Sequence, residues 1–193
     1  MKLGRRIGDN VDNELILYHG TNVWFEKADL EHSKDRRDFG KGFYTTTRYD
    51  QALDWAENMY IRYGGKGVYV MKFKLYLHPD LNIKVYRGLT REWLTMIKEN
   101  RLIGGLRHGY DIVIGPLADD NTMRTVALYV AGIYTDKVAL DLLKTCNADD
   151  QVSIHTTNGM KCLEYMEHIW EVPTISTVEL PIISLENNQR TYG

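Results

Sequence analysis

Short apolar runs and helical stripes alternate along this 193-residue chain. Glu14-Leu15-Ile16-Leu17-Tyr18 is a compact apolar run that leads into His19-Gly20-Thr21. Its length and its closing glycine predict a buried strand followed by a turn. Residues 26–41 are charged and turn-rich and predict a long loop. Gly42–Thr47 is aromatic and β-branched, which suits a short strand. Thr47 followed by Asp50 three residues on predicts a helix capped by the Thr47 hydroxyl. That helix extends to about Tyr63, where Gly64-Gly65 ends it. Ala52, Leu53, Ala56, Met59, Tyr60 and Tyr63 form one apolar stripe on it. Trp55 lies about 90° from the stripe's centre, on its shoulder, at about 100° per residue.

Gly67–Leu77 alternates as a strand does, and Thr90–Asn100 predicts a helix with Trp93, Leu94 and Ile97 inward. The apolar run of Tyr110–Gly115 predicts a central strand, and 122–131 and 135–146 predict helices. Gln151–His155 predicts a strand whose period of two puts Gln151, Ser153 and His155 on one face. Asn158–Met166 predicts a short helix and His168–Val172 a last strand. Short strands with interspersed helices predict an α+β fold of mixed sheets flanked by helices, not a βαβ repeat. No repeat, low-complexity stretch or linker divides the sequence, so residues 1–193 read as a single domain.

Composition narrows the class. Apolar residues make up 44% and charged residues 26%, the balance of a folded soluble protein. Twenty-four basic and 26 acidic residues leave a net charge of −2, so no overall field draws the chain to nucleic acid or an anionic membrane. Its apolar runs fall far short of the roughly 20 residues of a membrane span. Cys146 and Cys162 are too few for a disulfide framework and read as reduced thiols. Met1–Arg6 is basic, but no apolar stretch of a secretion signal follows it. The expected location is the cytoplasm, or a recipient cell if the protein is a delivered effector.

Several chemistries drop out. Gly40-Lys41-Gly42 lacks the third glycine of a dinucleotide fingerprint, and Gly65-Lys66-Gly67 lacks the hydroxyl and helix of a P-loop. The six histidines (19, 32, 78, 108, 155 and 168) include no pair four apart on a helix, so no metal site is expected. A serine nucleophile elbow is absent. Three spots remain: His19-Gly20, the run Asp38–Thr46 with Trp55 eleven residues after Tyr44, and Asp149-Asp150-Gln151 at a strand start. Taken alone, His19-Gly20 reads as a buried histidine in a strand-ending turn, as does His108-Gly109 in its loop.

Taken together and in this order, the three spots resemble the ADP-ribosyltransferase superfamily in its His-Tyr-Glu branch, the diphtheria-toxin-like transferases and poly(ADP-ribose) polymerases. The likeness extends from residue 15 to about 170. It is strongest to an uncharacterised bacterial group with segments like Tyr110–Pro116 and Gln151–Thr156. Gln151 stands where the branch has its glutamate. The resemblance implies an ADP-ribosyltransferase-like fold of split mixed and antiparallel sheets, and NAD⁺ as co-substrate with no metal. It also implies a macromolecular acceptor, either protein or nucleic acid. By association, it suggests a toxin with a cognate antitoxin or immunity protein, and no membrane partner.

The residue types suit that chemistry. Cleaving the nicotinamide–ribose bond passes through an oxocarbenium-like state, so nicotinamide must be gripped and the ribose held. His19, Tyr44 and Gln151 are the expected catalytic residues. His19 bonds a ribose hydroxyl, and Gly20 and Thr21 offer nearby backbone. Tyr44 and Trp55 flank the cationic nicotinamide ring. Gly40 and Gly42 offer free amides, and Arg36, Arg37, Lys41 and Arg48 around them offer charge, for the diphosphate. An amide at 151 hydrogen-bonds but carries no charge, so either ribose polarisation is weaker or Asp149 or Asp150 supplies an acid. The resemblance further implies Asp149, two residues before Gln151, as an acceptor-side residue, and His155, on the same strand face as Gln151, is expected to line the same cleft. Besides mono-ADP-ribosyl transfer, the residues leave open an NAD⁺ glycohydrolase, a non-catalytic NAD⁺- or ADP-ribose-binding module, and an interaction protein with no nucleotide.

Overall fold

In a computed structural model the chain is described over residues 13–172, with 119 and 147 excepted. Met1–Arg6 and the sequence after Val172 lie outside the described residues. The elements in chain order are β1 (Glu14–Thr21), β2 (Phe43–Thr46), α1 (Tyr49–Tyr63), β3 (Val68–Tyr76), β4 (Ile83–Val85), α2 (Arg91–Ile103), β5 (Ile112–Pro116), α3 (Asp120–Val130), α4 (Asp136–Leu143), β6 (Asp150–Ile154), α5 (Thr157–Lys161) and β7 (Leu163–Glu171). The fold is α+β. Seven strands form one sheet in the order β4-β5-β6-β2-β1-β3-β7, and every pairing is antiparallel except β4 with β5.

One junction in that sheet is narrow. β1 pairs with β3 along its whole length, from Glu14↔Tyr76 to Thr21↔Tyr69. Its pairing to β2 is the single position Tyr18↔Thr46. The expected turn at His19-Gly20 is instead the end of the strand, which runs on to Thr21 because β3 continues to pair with it.

Local chemistry explains the helix ends. Thr90 caps α2 by accepting from the Trp93 N–H, and Gly104 closes it at φ 79°. At α1 the N-cap is Arg48, whose side chain makes no cap bond, and not Thr47. The hydroxyl that organises this corner is Thr46, which accepts from the Arg48 N–H at 3.1 Å and donates to Gln51 Oε1. Of the expected α1 stripe, Ala52 and Ala56 are buried, while Tyr63 is exposed. Small residues suit that place, since α1 lies directly on β1: a Cβ at Gly20 would stand 1.9 Å from the Ala52 carbonyl oxygen.

Two cores fill the two faces of the sheet. On one face Val113, Trp93, Leu94, Ile97, Val126 and Ala139 pack with Phe39, whose ring stacks on Tyr86. On the other, Leu17, Phe43, Phe73, Ile112, Val152 and Ile154 pack together beneath Phe25 and Leu81. The strand expected to be central, β5, is buried throughout yet sits one place from the sheet edge. The helix expected over Asn158–Met166 ends at Lys161, because Leu163 and Tyr165 alternate inward opposite Leu75 and Phe73. No helix among the described residues is long and apolar enough to cross a membrane.

Candidate functional site

The register decides which side chains meet. Tyr18, Thr46 and Gln151 stand opposite one another across β1, β2 and β6, so they share a face with Tyr44 and Ser153. α1 lies over β1 and β3 on this face, and α2, α3 and α4 pack on one another over the β5 side. Tyr44 and Gln151 belong to the strip of sheet between these covers.

His19 points to the opposite face, where its ring stacks on Phe43 at 4.7 Å. Past Tyr18↔Thr46 the β1–β2 ladder gives way to a side chain, since His19 Nδ1 lies 2.7 Å from the Tyr44 carbonyl oxygen. A carbonyl only accepts, so Nδ1 carries the proton. Burial lowers the pKa of this ring, outweighing the carbonyl bond, and keeps it neutral. Nε2 is then left as a lone-pair acceptor with no partner among the described residues.

The segment Asp38–Gly42 bridges the strip and is pinned almost atom by atom. Asn100 Nδ2 donates to the Asp38 carbonyl, His108 Nε2 to that of Phe39, the Tyr44 hydroxyl to that of Gly40, and His155 Nδ1 to that of Lys41. The Phe39 N–H donates to the Tyr44 hydroxyl, the Gly40 N–H to the Arg37 carbonyl and the Lys41 N–H to that of Gly105. This corrects the expectation of a free amide at Gly40. The amides of Phe39, Gly40 and Lys41 are already bonded, and the glycines serve packing. Gly40 adopts φ 90°, and a Cβ on Gly42 would stand 2.5 Å from His155 Nδ1.

A second correction concerns His155. It is 4% exposed, with Nδ1 on the Lys41 carbonyl and Nε2 2.8 Å from the Ser153 hydroxyl. Its ring packs edge-on to His108 at 4.6 Å. A ring so enclosed holds the loop and cannot also touch an acceptor. Burial pushes its pKa down to about 4.

Trp55 is 47% exposed, and the Arg37 guanidinium lies 5.7 Å from its ring centre. Tyr44 and Trp55 do not touch; the Tyr44 ring instead meets His155 edge-on at 6.2 Å. Asp149 pairs with Arg48, and burial raises the pKa of Asp150. The carboxylate beside Gln151 belongs to neither of these. It is that of Asp38, whose Oδ2 lies 3.3 Å from Gln151 Nε2. Asp38 Oδ1 receives Arg101 Nε at 2.8 Å and Nη2 at 2.6 Å.

Asn100, Arg101 and His108 have no place in the sequence-based site, and Asp38 belongs to its run of residues without a role of its own. A signal existed for two of them. Asn100 and Arg101 fall three and four residues after Ile97, on the very stripe that buries Trp93, Leu94 and Ile97. Polar residues on a buried stripe require buried partners. Among the described residues no group of His, Cys, Asp or Glu side chains could hold a metal ion.

Against known proteins, residues 15–165 match one family model, described as "Protein of unknown function (DUF3990)". No curated protein and no solved structure matches the chain. The match spans most of the chain, from the start of β1 into β7, and the protein therefore belongs to the DUF3990 family.

Proposed function

We propose that this protein is an NAD⁺-dependent mono-ADP-ribosyltransferase built on an ADP-ribosyltransferase-like split sheet, its halves being β4-β5-β6-β2 and β1-β3-β7. One observation carries the reading. β1 and β2 are joined at Tyr18↔Thr46 alone, and His19 closes the next position through its ring, presenting a neutral Nε2. In the reaction the ribose C1′–nicotinamide bond breaks, and its electron pair leaves on neutral nicotinamide. An acceptor atom bonds to C1′ and releases its proton to solvent.

In this reading His19 Nε2 accepts from a ribose hydroxyl. The backbone of Gly20 and Thr21 lines the opening, and the rings of Tyr44 and Trp55 attract the cationic nicotinamide. With the loop amides already bonded, the diphosphate charge falls to Arg37 and Lys41 side chains. Gln151 accepts from the 2′-hydroxyl. By resemblance the setting is a bacterial toxin checked by an antitoxin or immunity protein. The amide at Gln151 favours a second reading, an NAD⁺ glycohydrolase or an NAD⁺-binding module, because an amide offsets less positive charge than a carboxylate.

The test is purified protein with labelled NAD⁺ in cell lysate, with nicotinamide release followed and His19→Ala as control. Label appearing with wild type alone is the expected result, and its sensitivity to nuclease or protease assigns the acceptor. Nicotinamide without label selects the glycohydrolase. NAD⁺ binding without turnover selects the binding module. Neither binding nor turnover in a folded sample sinks both readings.

A further inference from the structure

We propose that Asp38 is the positioning residue of this site: it fixes Gln151 as an oriented oxygen acceptor and makes a glutamate at position 151 unworkable. The inference rests on the transferase reading above and deepens it.

Gln151 is 5% exposed. One end of its carboxamide faces Asp38 Oδ2 at 3.3 Å and the Pro116 carbonyl oxygen at 3.4 Å. Both are pure acceptors, so the atom facing them is the NH₂, and each of its hydrogens has a partner. The oxygen therefore points away.

Asp38 is itself held from three sides. Arg101 donates twice to Oδ1, and Oδ2 takes the Ala118 N–H at 3.4 Å besides Gln151. The Asp38 and Arg101 side chains are only 10% and 21% exposed. Their charges cancel. A glutamate at 151 would set a second carboxylate against the first, whose partner Arg101 is already bonded to Asp38 Oδ1, and two carboxylates sharing one site disfavour each other's ionisation. The amide is thus the partner that Asp38 allows.

Four proteins test this: wild type, Q151E, D38N and the double variant D38N/Q151E, each assayed for kcat and KM on NAD⁺ and for thermal unfolding. Q151E is expected to lose about 100-fold in kcat with KM little changed. The double variant should regain about tenfold, since the carboxamide introduced at position 38 can donate to the carboxylate introduced at position 151. If Q151E fails to fold, folding of the double variant supports the same coupling. Q151E as active and as stable as wild type overturns the inference, as does a double variant no better than Q151E. Wild type that neither binds nor turns over NAD⁺ overturns the transferase reading, and this inference with it.

Discussion

At the scale of single residues the site depends on protons held in fixed places. His19 must keep its hydrogen on Nδ1 to bond the Tyr44 carbonyl, and must stay neutral to keep the Nε2 lone pair. His19→Ala is therefore expected to abolish NAD⁺ turnover while the purified protein keeps its wild-type circular dichroism spectrum. Turnover equal to wild type in that variant would remove His19 from the mechanism. The wild-type rate should also lack a limb at the ordinary histidine pKa of about 6.5, because burial lowers that of His19. A pH–rate profile with a His19-dependent limb at or above that value would contradict the neutral ring. Tyr44 uses its hydroxyl twice, donating to the Gly40 carbonyl at 2.7 Å and accepting the Phe39 N–H at 3.0 Å. Burial raises the phenol pKa, so the donor is kept. Tyr44→Phe leaves both loop groups unpaired, and urea unfolding should show a loss of about 1–3 kcal/mol. An unchanged midpoint would mean that the loop is held without it.

At the scale of elements the decisive contact is α1 on β1. A Cβ at Gly20 would lie 1.9 Å from the Ala52 carbonyl oxygen and 2.9 Å from the Ala56 nitrogen, both backbone atoms of α1. Neither can swing aside as a side chain would. Gly20→Ala should therefore cost about 3 kcal/mol or more, as α1 is pushed off the sheet. A thermal midpoint within a degree of wild type would refute that packing. The same contact marks the limit of what the sequence could reveal. The helices were legible because Trp93, Leu94 and Ile97 repeat at helical spacing, and β6 because Gln151, Ser153 and His155 alternate. β4 was not, since three residues, Ile83–Val85, hold no period and take their partner from β5, far along the chain. Gly20 was read for backbone exposed to a ligand, but one of its faces is filled by a helix that only the fold brings there. The order of His19, Tyr44, Trp55 and Gln151 was legible. The bonding of the Asp38 and Phe39 carbonyls and the Asp38–Arg101 pair was not, because each takes its partner from more than 60 residues along the chain.

At the scale of the whole molecule, the two histidines under the loop couple stability to pH. His155 has an ordinary pKa of about 6.5 when unfolded and about 4 when folded. Burial is the main cause, and the neighbouring His108 adds to it. His108 is lowered as well, again by burial. Between the two values for His155 the unfolded chain binds a proton that the folded protein refuses, so stability rises with pH across that window. The contribution is complete above about 6.5 and is lost as pH falls through about 4. For His155 its full size is on the order of 3 kcal/mol. Protonation falls on Nε2, which then no longer accepts from the Ser153 hydroxyl, and it charges a buried ring beneath the loop that carries Asp38 over Gln151. Urea midpoints measured from pH 7.5 down to 4 should fall for wild type. His155→Gln keeps a donor for Lys41 without a proton to gain, so its midpoint should start lower and decline less over the same range. Parallel curves for the two proteins would show that the acid loss arises elsewhere, for example at Asp29, Asp35 and Asp50, whose lowered pKa values are set by hydrogen bonds and exert their effect below the ordinary carboxylate range. The windows separate the two causes: the part of a loss between pH 6.5 and 4 that His155→Gln removes belongs to His155, and a loss below pH 4 that it leaves intact belongs to the carboxylates.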